Sequence, residues 1–317
     1  MRILVTGSTG FVGTSLVKRL AKDRFSVVSA VRNSLIFEAS SGVSLVSTGD
    51  LSSTFDWTHA LQGVDVVIHL AARTHVLDDR ANNPLAEYRY INVDCSLNLA
   101  RQAACAGVRR FIYLSSIKVN GEFTNSGRPF TAEDTPSPQD FYGVSKYEAE
   151  LGLRAIADDA EMGLVIIRPP LVYGPGVKGN FLSLMKWISQ SIPLPFGAIA
   201  NQRSLVALEN LVDLIVTCID HSCAPNQIFL ASDGQDISTA DLCIRLGHAL
   251  KRPTRLISVP VSWLYFFSTV FGRRGVAERL CSSLQIDISK TESILGWSPK
   301  TTVNKSLSET ALDFLNK

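Results

Sequence analysis

Three residues of the chain could carry out proton transfer on a bound substrate. Tyr142 and Lys146 form a Tyr-x-x-x-Lys pair, and on a helix two side chains four residues apart share one face. A phenol with a pKa of about 10 is a poor base at neutral pH, but a neighbouring ammonium favours its ionised form. Ser116 ends an apolar run and could hydrogen-bond the substrate oxygen that Tyr142 protonates or deprotonates. These side chains predict chemistry at a hydroxyl or carbonyl group.

A glycine-rich turn follows the first apolar run and begins the first helical pattern. Its sequence is Thr6-Gly7-Ser8-Thr9-Gly10-Phe11-Val12-Gly13. Glycines at such a turn allow a pyrophosphate to approach closely, and the helix N-terminus attracts the phosphates. The spacing is G-x-x-G-x-x-G, not the commoner G-x-G-x-x-G. We predict a dinucleotide cofactor held by Gly7, Thr9, Gly10, Phe11, Val12 and Gly13.

Arg32 bears on which dinucleotide the site takes. It follows the second predicted strand, where a NAD-selective site usually has an acid for the ribose 2′-hydroxyl. A guanidinium there could pair with a 2′-phosphate, which predicts NADP as the cofactor. NAD is the alternative, if Arg32 only stacks on adenine.

Further cofactor contacts are expected at the ends of the third and fourth predicted strands. The candidate residues are Asp50, Leu51, Leu70, Ala71 and Ala72. A plain turn is the alternative for Asp50 and Leu51. His69 is more simply interpreted as a buried strand-end histidine than as a catalyst.

Short β-branched runs alternate with helical patterns through the first half of the chain. Strands are predicted at residues 2–5, 26–31, 43–46, 65–70, 110–114 and 164–168. Helices are predicted at residues 12–22, 56–61, 84–105 and 142–159. Strands that are apolar throughout indicate a sheet buried on both faces, and alternating elements predict parallel strands with right-handed crossovers. The fold class is therefore α/β, a doubly wound parallel sheet of the Rossmann type.

The second half has a looser pattern, with proline and glycine clusters after residue 170. We expect residues 1–170 to form the cofactor domain, with the apolar run 227–232 returning to its sheet. Residues 171–317 are expected to form a smaller lobe for the substrate.

Composition limits the classes of partner. The 317 residues carry 31 Lys+Arg and 29 Asp+Glu, a formal net charge of +2, and 46% are hydrophobic. This excludes a disordered chain and argues against electrostatic binding of nucleic acid. The six cysteines are scattered without metal-ligand spacing, so reduced thiols and no metal site are expected. The first strand begins at residue 2 and leaves no room for a signal peptide, so a cytoplasmic location is expected.

The apolar run at residues 257–271 is a separate feature. It is shorter than the roughly 20 residues that a membrane span needs, so stable membrane insertion is not expected. A packed helix is the favoured interpretation. Attachment to a membrane surface, helped by Arg273 and Arg274, is the alternative.

Taken together, the motifs resemble the extended short-chain dehydrogenase/reductase family, in its group of NAD-dependent epimerases and dehydratases. The resemblance covers nearly the whole chain. It is carried by Thr6–Gly13, Asp50-Leu51, His69–Ala72, Asn92, Ser115-Ser116, Tyr142 with Lys146, Arg168-Pro169 with Tyr173-Gly174, and Ser289-Lys290 with Leu295-Gly296-Trp297.

The resemblance implies roles for several residues. Ser116 and Tyr142 would hold the reacting hydroxyl or ketone of a UDP-linked sugar, and Lys146 would bind the nicotinamide ribose and tune Tyr142. Hydride would pass between the sugar carbon, usually C4, and the nicotinamide. Cofactor contacts would include Tyr142, Lys146 and Pro169, and substrate contacts would include Ser116, Lys118, Asn180, Arg203 and Arg279. A turn residue, a surface ion pair and a solvated lysine are the alternatives for Asn180, Arg203 and Lys118.

Two departures from the family pattern narrow the expected reaction. Dehydratases of the family carry Asp-Glu directly after the catalytic Ser or Thr, whereas Ile117-Lys118 follows Ser116 here. Arg32 fits a reductase that consumes NADPH, so the sequence favours reduction of a UDP-linked 4-keto-6-deoxy sugar. The alternative is 4-epimerisation of UDP-glucose or UDP-N-acetylglucosamine, and a catalytically silent cofactor sensor is more remote. Family members often pair through two long helices, which implies a homodimer.

Overall fold

The computed structural model describes residues 1–33, 42–74, 83–125, 127–270 and 274–317. Within them, seven parallel strands make the central sheet: β1 (Arg2–Thr6), β2 (Ser26–Val31), β3 (Val43–Ser47), β4 (Val66–His69), β5 (Arg110–Leu114), β6 (Gly163–Arg168) and β9 (Gln227–Leu230). Their order is β3-β2-β1-β4-β5-β6-β9. Two short strands, β7 (Leu171–Tyr173) and β8 (Leu205–Ala207), pair separately.

Helices cover both faces of the central sheet. The described helices are α1 (Phe11–Lys22), α2 (Thr58–Leu61), α3 (Pro84–Arg89), α4 (Cys95–Cys105), α5 (Phe141–Asp159), α6 (Gly179–Ser189), α7 (Leu208–Asp220), α8 (Thr239–Ala249), α9 (Val261–Val270), α10 (Arg274–Cys281), α11 (Ser289–Leu295) and α12 (Val303–Leu315). On one face α1 and α7 bury Leu16 and Leu211 against the sheet. On the other face α4 and α5 bury Leu99 and Leu153. The strands β1, β4 and β6 are mostly apolar and buried because both sides of the sheet are covered, which confirms the predicted doubly wound α/β fold.

The predicted long helix at residues 84–105 is interrupted. A π-helical segment, Tyr90–Asp94, joins α3 to α4. The wider turn coincides with Asn92, which is fully buried. Such π-segments often occur at functional sites, and here the interruption brings a polar side chain into the interior.

A second hydrophobic core lies in the C-terminal half. It is formed mainly by α6, α8 and α12, with Met185, Leu246 and Leu307 among its buried residues. The predicted lobe of residues 171–317 is not wholly separate, because α7 and Trp297 pack in the core of the main sheet. Strand β9 pairs with β6 at the edge of that sheet.

Two further findings concern only the described residues. No described helix has both the length and the apolar character that crossing a bilayer requires. No cluster of three or more His, Cys, Asp or Glu side chains in the described ranges is arranged to hold a metal ion.

Candidate active site

The predicted catalytic and cofactor residues meet at one edge of the sheet. The glycine-rich turn follows β1, Ala71 and Ala72 follow β4, and Ser116 follows β5. These three strands are neighbours in the sheet. Ligands of open parallel sheets bind outside the carboxyl ends of the strands. The fold thus brings the turn and Ser116 to the same crevice.

Close packing of the backbone explains the glycines at the turn after β1. Gly7 has a φ of +65°, and a Cβ there would lie 2.7 Å from the Ala71 nitrogen. A Cβ at Gly13 would lie 2.1 Å from the Gly7 carbonyl oxygen. A larger residue at Gly7 would push the turn away from the end of β4. A larger residue at Gly13 would push α1 away from the turn.

The N-terminus of α1 is open to an anion. Gly10 is the N-cap, no side chain caps the helix, and the first turn contains no acidic residue. The Thr14 N–H donates to the Gly10 carbonyl at 3.0 Å, so the amides of residues 11–13 have no partner within the helix. Thr9 and Gly10 are exposed. This backbone cradle fits the pyrophosphate of a dinucleotide.

Arg32 and Asp50 meet at the ends of β2 and β3. The Arg32 Nε lies 3.6 Å from the Asp50 Oδ1, and their side chains are 84% and 93% exposed. An ion pair this exposed contributes little to stability, so both side chains are free to reorient toward a ligand. Leu51 is half-buried beside them.

Replacing Arg32 by Ala is expected to weaken NADP binding by about 10-fold and to leave NAD binding nearly unchanged. The reason is that the 2′-phosphate, which the guanidinium would contact, is present in NADP alone. Fluorescence titrations with each dinucleotide measure both affinities. Arg101→Ala, which removes an exposed arginine of α4, is the control. Equal affinity of the unmodified protein for NAD and NADP would contradict the predicted selectivity.

His69 has a structural role at the end of β4. Its Nδ1 lies 2.7 Å from the Thr6 Oγ1, and its Nε2 lies 2.8 Å from the Ser96 Oγ. Burial, assisted by the ammonium of Lys146, lowers the pKa of His69 to about 3. The ring is therefore neutral at pH 7, and it ties β1 and β4 to α4.

Asn92 connects the cofactor edge to α5. Its Oδ1 accepts from the Arg73 amide at 2.8 Å, and its Nδ2 donates to the Arg73 carbonyl at 3.0 Å. The same Nδ2 donates to the Ser145 Oγ at 2.9 Å. Ser145 lies between Tyr142 and Lys146 in α5. Asn92 thereby fixes the loop after β4 relative to the helix that carries both residues.

Tyr142 lies in the first turn of α5, beside Ser116. Burial is the main cause that raises the pKa of Tyr142, and the nearby carboxylate of Asp140 raises it further. The hydroxyl of Ser116 opposes that increase. The sequence led us to expect a phenol whose ionised form is favoured, and the structure differs. Burial, and after it the carboxylate of Asp140, raise the pKa of Tyr142, and the Tyr-x-x-x-Lys pattern contains neither.

Lys146 follows one turn later and is almost fully buried. Its Nζ lies over the ring of Tyr113, 4.1 Å from the centroid. Burial lowers the pKa of Lys146 to about 7, although the carboxylate of Glu150 acts in the opposite direction. The side chain can therefore change charge near neutral pH when a ligand binds against it.

Two carboxylates hold Lys118. Its ammonium forms an ion pair with Asp140, and its Nζ donates to the Glu122 Oε1 at 2.9 Å. Asp140 is also the N-cap of α5, where its Oδ1 accepts from the Gly143 amide at 2.7 Å. Lys118 therefore links the turn that follows Ser116 to the start of the helix that carries Tyr142.

Replacing Lys118 by Met is expected to shift the pH profile of kcat/KM to higher pH, by about one unit. The uncompensated Asp140 carboxylate would raise the pKa of Tyr142 further, so a higher pH would be needed to ionise the phenol. Lys118→Arg keeps the positive charge and should retain the original profile. The same profile for both variants would contradict an electrostatic link between Lys118 and Tyr142.

A buried ionic network lies behind the site. The Arg168 guanidinium donates to both carboxylate oxygens of Glu150, at 2.9 and 2.5 Å. The Ser115 hydroxyl donates to Glu150 at 2.5 Å, and Arg168 also donates to the Asn120 Oδ1 at 2.9 Å. The Glu150 and Arg168 side chains are 1% and 2% exposed. The network joins the ends of β5 and β6 to the middle of α5.

The candidate substrate residues lie in different surroundings. Arg203 is half-buried, and its Nη1 donates to the carbonyls of Arg279 and Ser282, both at 2.9 Å. The fold therefore brings α10, which contains Arg279, next to Arg203. Asn180 is exposed in the first turn of α6. Pro169, a predicted cofactor contact, is buried, and its carbonyl accepts from the Ile117 amide at 3.0 Å.

A pocket of about 420 Å³ adjoins this region. Its lining includes Phe123, Thr124, Arg128 and Phe130. The amides of Thr124 and Phe130 donate at 2.8 Å to the carbonyls of residues 283 and 285. The residues that line the pocket therefore follow Ser116 in the sequence. They lie next to residues 283–285, and Leu284 of this segment pairs with Arg203.

Comparison with known proteins identifies the family. Residues 3–231 match the model of the NAD dependent epimerase/dehydratase family. The chain belongs to this family. It is therefore an enzyme of the NAD-dependent epimerase/dehydratase family, as its Tyr142, Lys146 and glycine-rich turn predicted.

One curated relative and two solved structures give more detail. The UDP-glucose 4-epimerase of Vibrio cholerae is 52% identical over 316 residues, which cover 99% of this chain and 95% of that protein. The fold resembles that of a UDP-glucuronic acid 4-epimerase from Bacillus cereus in complex with UDP-glucuronic acid and NAD. That structure has a TM-score of 0.82 and 21% identity, with coverage of 100% of this chain and 99% of that one. RMD from Pseudomonas aeruginosa, complexed with NADPH, has a TM-score of 0.73 and 22% identity, with 99% of each chain covered.

These relatives favour one of the two expected reactions. The V. cholerae relative is a 4-epimerase, which matches the alternative rather than the expected 4-keto reductase. One of the two solved structures contains NAD and the other contains NADPH. The choice between the two dinucleotides therefore rests on this chain's own residues.

Three residues important to the site's geometry had no role predicted for them. Asp140 and Glu150 have none in the sequence analysis, and Asn92 appeared there as a family motif without a function. A signal existed for two of them. Asp140 is a favoured N-cap type just before an apolar helical pattern, and Glu150 lies on the helical face of Tyr142 and Lys146, four residues further on.

Proposed function

We propose that the protein is a 4-epimerase of a UDP-linked hexose, with UDP-glucose as the first substrate to test. The observation that supports this most is the 52% identity to a UDP-glucose 4-epimerase over almost the whole chain. The candidate site is consistent with it, because the open N-terminus of α1 and Ser116 follow strands at the same edge of the sheet, and Tyr142 lies beside Ser116. The Ile117-Lys118 sequence after Ser116 lacks the acids that a dehydratase needs.

The dinucleotide would lie across the carboxyl edge of β1 and β4. Its pyrophosphate would take the amides of residues 11–13, and its adenosine end would reach Arg32 and Asp50. Lys146 would contact the nicotinamide ribose. Bound NAD(P) would supply a hydride acceptor and donor and, when oxidised, a positive ring charge.

The protein's own residues would handle the proton at the sugar O4. Ser116 would hydrogen-bond that oxygen and orient it toward Tyr142. Ionised Tyr142 would accept the O4 proton as C4 is oxidised, and would return it when C4 is reduced from the other face. Because burial and Asp140 raise the pKa of Tyr142, positive charge from Lys146 and the oxidised cofactor would be needed to generate the phenolate.

The second half of the chain would hold the rest of the substrate. Arg203 would contact a diphosphate, for which its planar fork is suited. Arg279 and Asn180 are secondary candidates for the same region. We also propose a homodimer formed through α4 and α5, as the family resemblance implies.

A second candidate function is 4-keto reduction with NADPH. It is favoured by one observation, the position of Arg32 where a tightly bound NAD would meet an acid. The two reactions differ in their use of cofactor, because an epimerase regenerates its cofactor in each turnover and a reductase consumes it.

Product analysis distinguishes the two proposals. The protein is incubated with UDP-glucose, and separately with a UDP-linked 4-keto-6-deoxy-N-acetylhexosamine and NADPH. We expect the C4 epimer of UDP-glucose to form without net loss of cofactor. Stoichiometric oxidation of NADPH by the keto sugar, without epimerisation, would instead support the reductase. No turnover with either substrate would contradict both.

A further inference from the structure

Helix α9 presents an apolar face to solvent. Trp263, Phe266, Phe267 and Val270 are 60%, 65%, 47% and 64% exposed. They are spaced at i, i+3, i+4 and i+7, so they form a single stripe on the helix, which we call the α9 stripe. The rings of Trp263 and Phe267 pack edge to face, with centroids 6.2 Å apart. A contiguous group of exposed aromatic side chains is uncommon on the surface of a globular protein and often marks an interaction site.

The opposite side of α9 is attached to the protein. Val261 and Leu264 pack against the second hydrophobic core. The Tyr265 hydroxyl lies 3.4 Å from the Ser282 Oγ. The helix is therefore seated by one face, and no residue of α9 is fully buried. The stripe is directed away from the described part of the chain.

The sequence on both sides of α9 is basic. Lys251, Arg252 and Arg255 precede α9 and are exposed, and none of them forms an ion pair with another described residue. The sequence from residue 251 to residue 277 contains no Asp or Glu. Arg273 lies outside the described residues, and it and Arg274 add two basic residues after the helix in the sequence. This local excess contrasts with a net charge of +2 for the whole chain.

We propose that α9 docks the protein on the surface of an anionic lipid bilayer. The stripe would enter the boundary between headgroups and acyl chains, and Lys251, Arg252 and Arg255 would lie among the anionic headgroups. Aromatic residues on one face of a surface helix with basic residues beside it are the combination that binds such interfaces. The ten-residue helix is too short to cross the membrane, so it would lie in the plane of the surface.

Charge argues for lipid over a second copy of the chain. In a symmetric dimer formed through the stripe, the same patch on each subunit would face its counterpart. The basic residues of one copy would then meet those of the other, and like charges repel. A surface of anionic phosphate groups supplies the opposite charge together with an apolar layer.

Vesicle sedimentation tests the proposal with the full chain. We expect binding to vesicles rich in phosphatidylglycerol, much weaker binding to phosphatidylcholine vesicles, and release by salt. The double variant Phe266→Ser/Phe267→Ser should bind the anionic vesicles at least about 10-fold more weakly. Leu312→Ser/Leu315→Ser, which alters two exposed apolar residues of α12, is the matched control and should bind normally.

A second variant separates the electrostatic contribution. Arg252→Gln/Arg255→Gln should weaken binding to phosphatidylglycerol vesicles and reduce its dependence on salt. All variants should retain the circular dichroism spectrum of the unmodified protein. Absence of binding to anionic vesicles, or equal binding by the Phe266→Ser/Phe267→Ser variant, would overturn the proposal. So would a dimer in vesicle-free solution that this variant alone dissociates, because the stripe would then be a contact between two copies. None of these measurements depends on which sugar the enzyme uses.

Discussion

Replacing Tyr142 by Phe is expected to lower turnover by about 10²-fold or more, the scale of general acid–base catalysis. The substitution removes the phenolic oxygen that would exchange a proton with the sugar O4 and keeps the ring. Burial and the position of Tyr142 at the start of α5 should be preserved, because Gly143 still bonds to the Asp140 cap. The loss should therefore appear in kcat, with little change in cofactor affinity. Steady-state kinetics and a cofactor titration measure the two quantities.

Tyr147→Phe is the matched control for this prediction. Tyr147 lies on the same helix, five residues further on, and is half-buried. It points to a different face of α5 from Tyr142. Its phenol should be dispensable, so turnover should stay near that of the unmodified enzyme. Similar turnover in Tyr142→Phe and Tyr147→Phe would remove Tyr142 from the mechanism.

Replacing Glu150 by Ala is expected to lower the free energy of unfolding by about 3–5 kcal/mol. Its carboxylate accepts two hydrogen bonds from Arg168 and one from Ser115. The truncation leaves the Arg168 charge buried without its partner, and an unpaired buried charge is costly. Denaturation in urea, followed by far-UV circular dichroism, measures the change.

Glu148→Ala on the same helix provides the comparison. Glu148 also accepts two hydrogen bonds from an arginine, Arg89, at 2.8 and 2.5 Å. That pair is exposed, so its loss should cost less than about 1 kcal/mol. The double variant Glu150→Met/Arg168→Met should be less destabilised than Glu150→Ala, because it leaves no unpaired charge. Equal losses for Glu150→Ala and Glu148→Ala would contradict the importance of burial.

Local sequence patterns predicted much of the fold. The strand positions follow from apolar runs, and the turn from Gly7 to Gly13 follows from a spacing that backbone contact requires. The pattern could not predict the π-helical segment at Tyr90–Asp94, because its residues read as an ordinary helix. The tertiary position of Asn92, between Arg73 and Ser145, explains the interruption.

The sequence predicted which residues form the candidate site, but it did not predict the electrostatic environment of Tyr142. The Tyr-x-x-x-Lys spacing brings Tyr142 and Lys146 to one helical face, as expected. It contains no information about Asp140 or about burial, which together reverse the expected direction of the Tyr142 pKa. Lys118 was expected to face either substrate or solvent. The carboxylates of Glu122, four residues later, and of Asp140, 22 residues later, bind its ammonium instead.

In the proposed epimerisation, hydride leaves the sugar C4 and returns to the same carbon within one active site. It is tested most directly with UDP-glucose that carries deuterium at C4, incubated with the enzyme and its cofactor in ordinary water. We expect UDP-galactose that keeps the deuterium at C4, with no net change in the amount of oxidised cofactor. Loss of the deuterium to water, or its accumulation in free reduced cofactor in step with product, would contradict transfer of hydride from C4 and back to it.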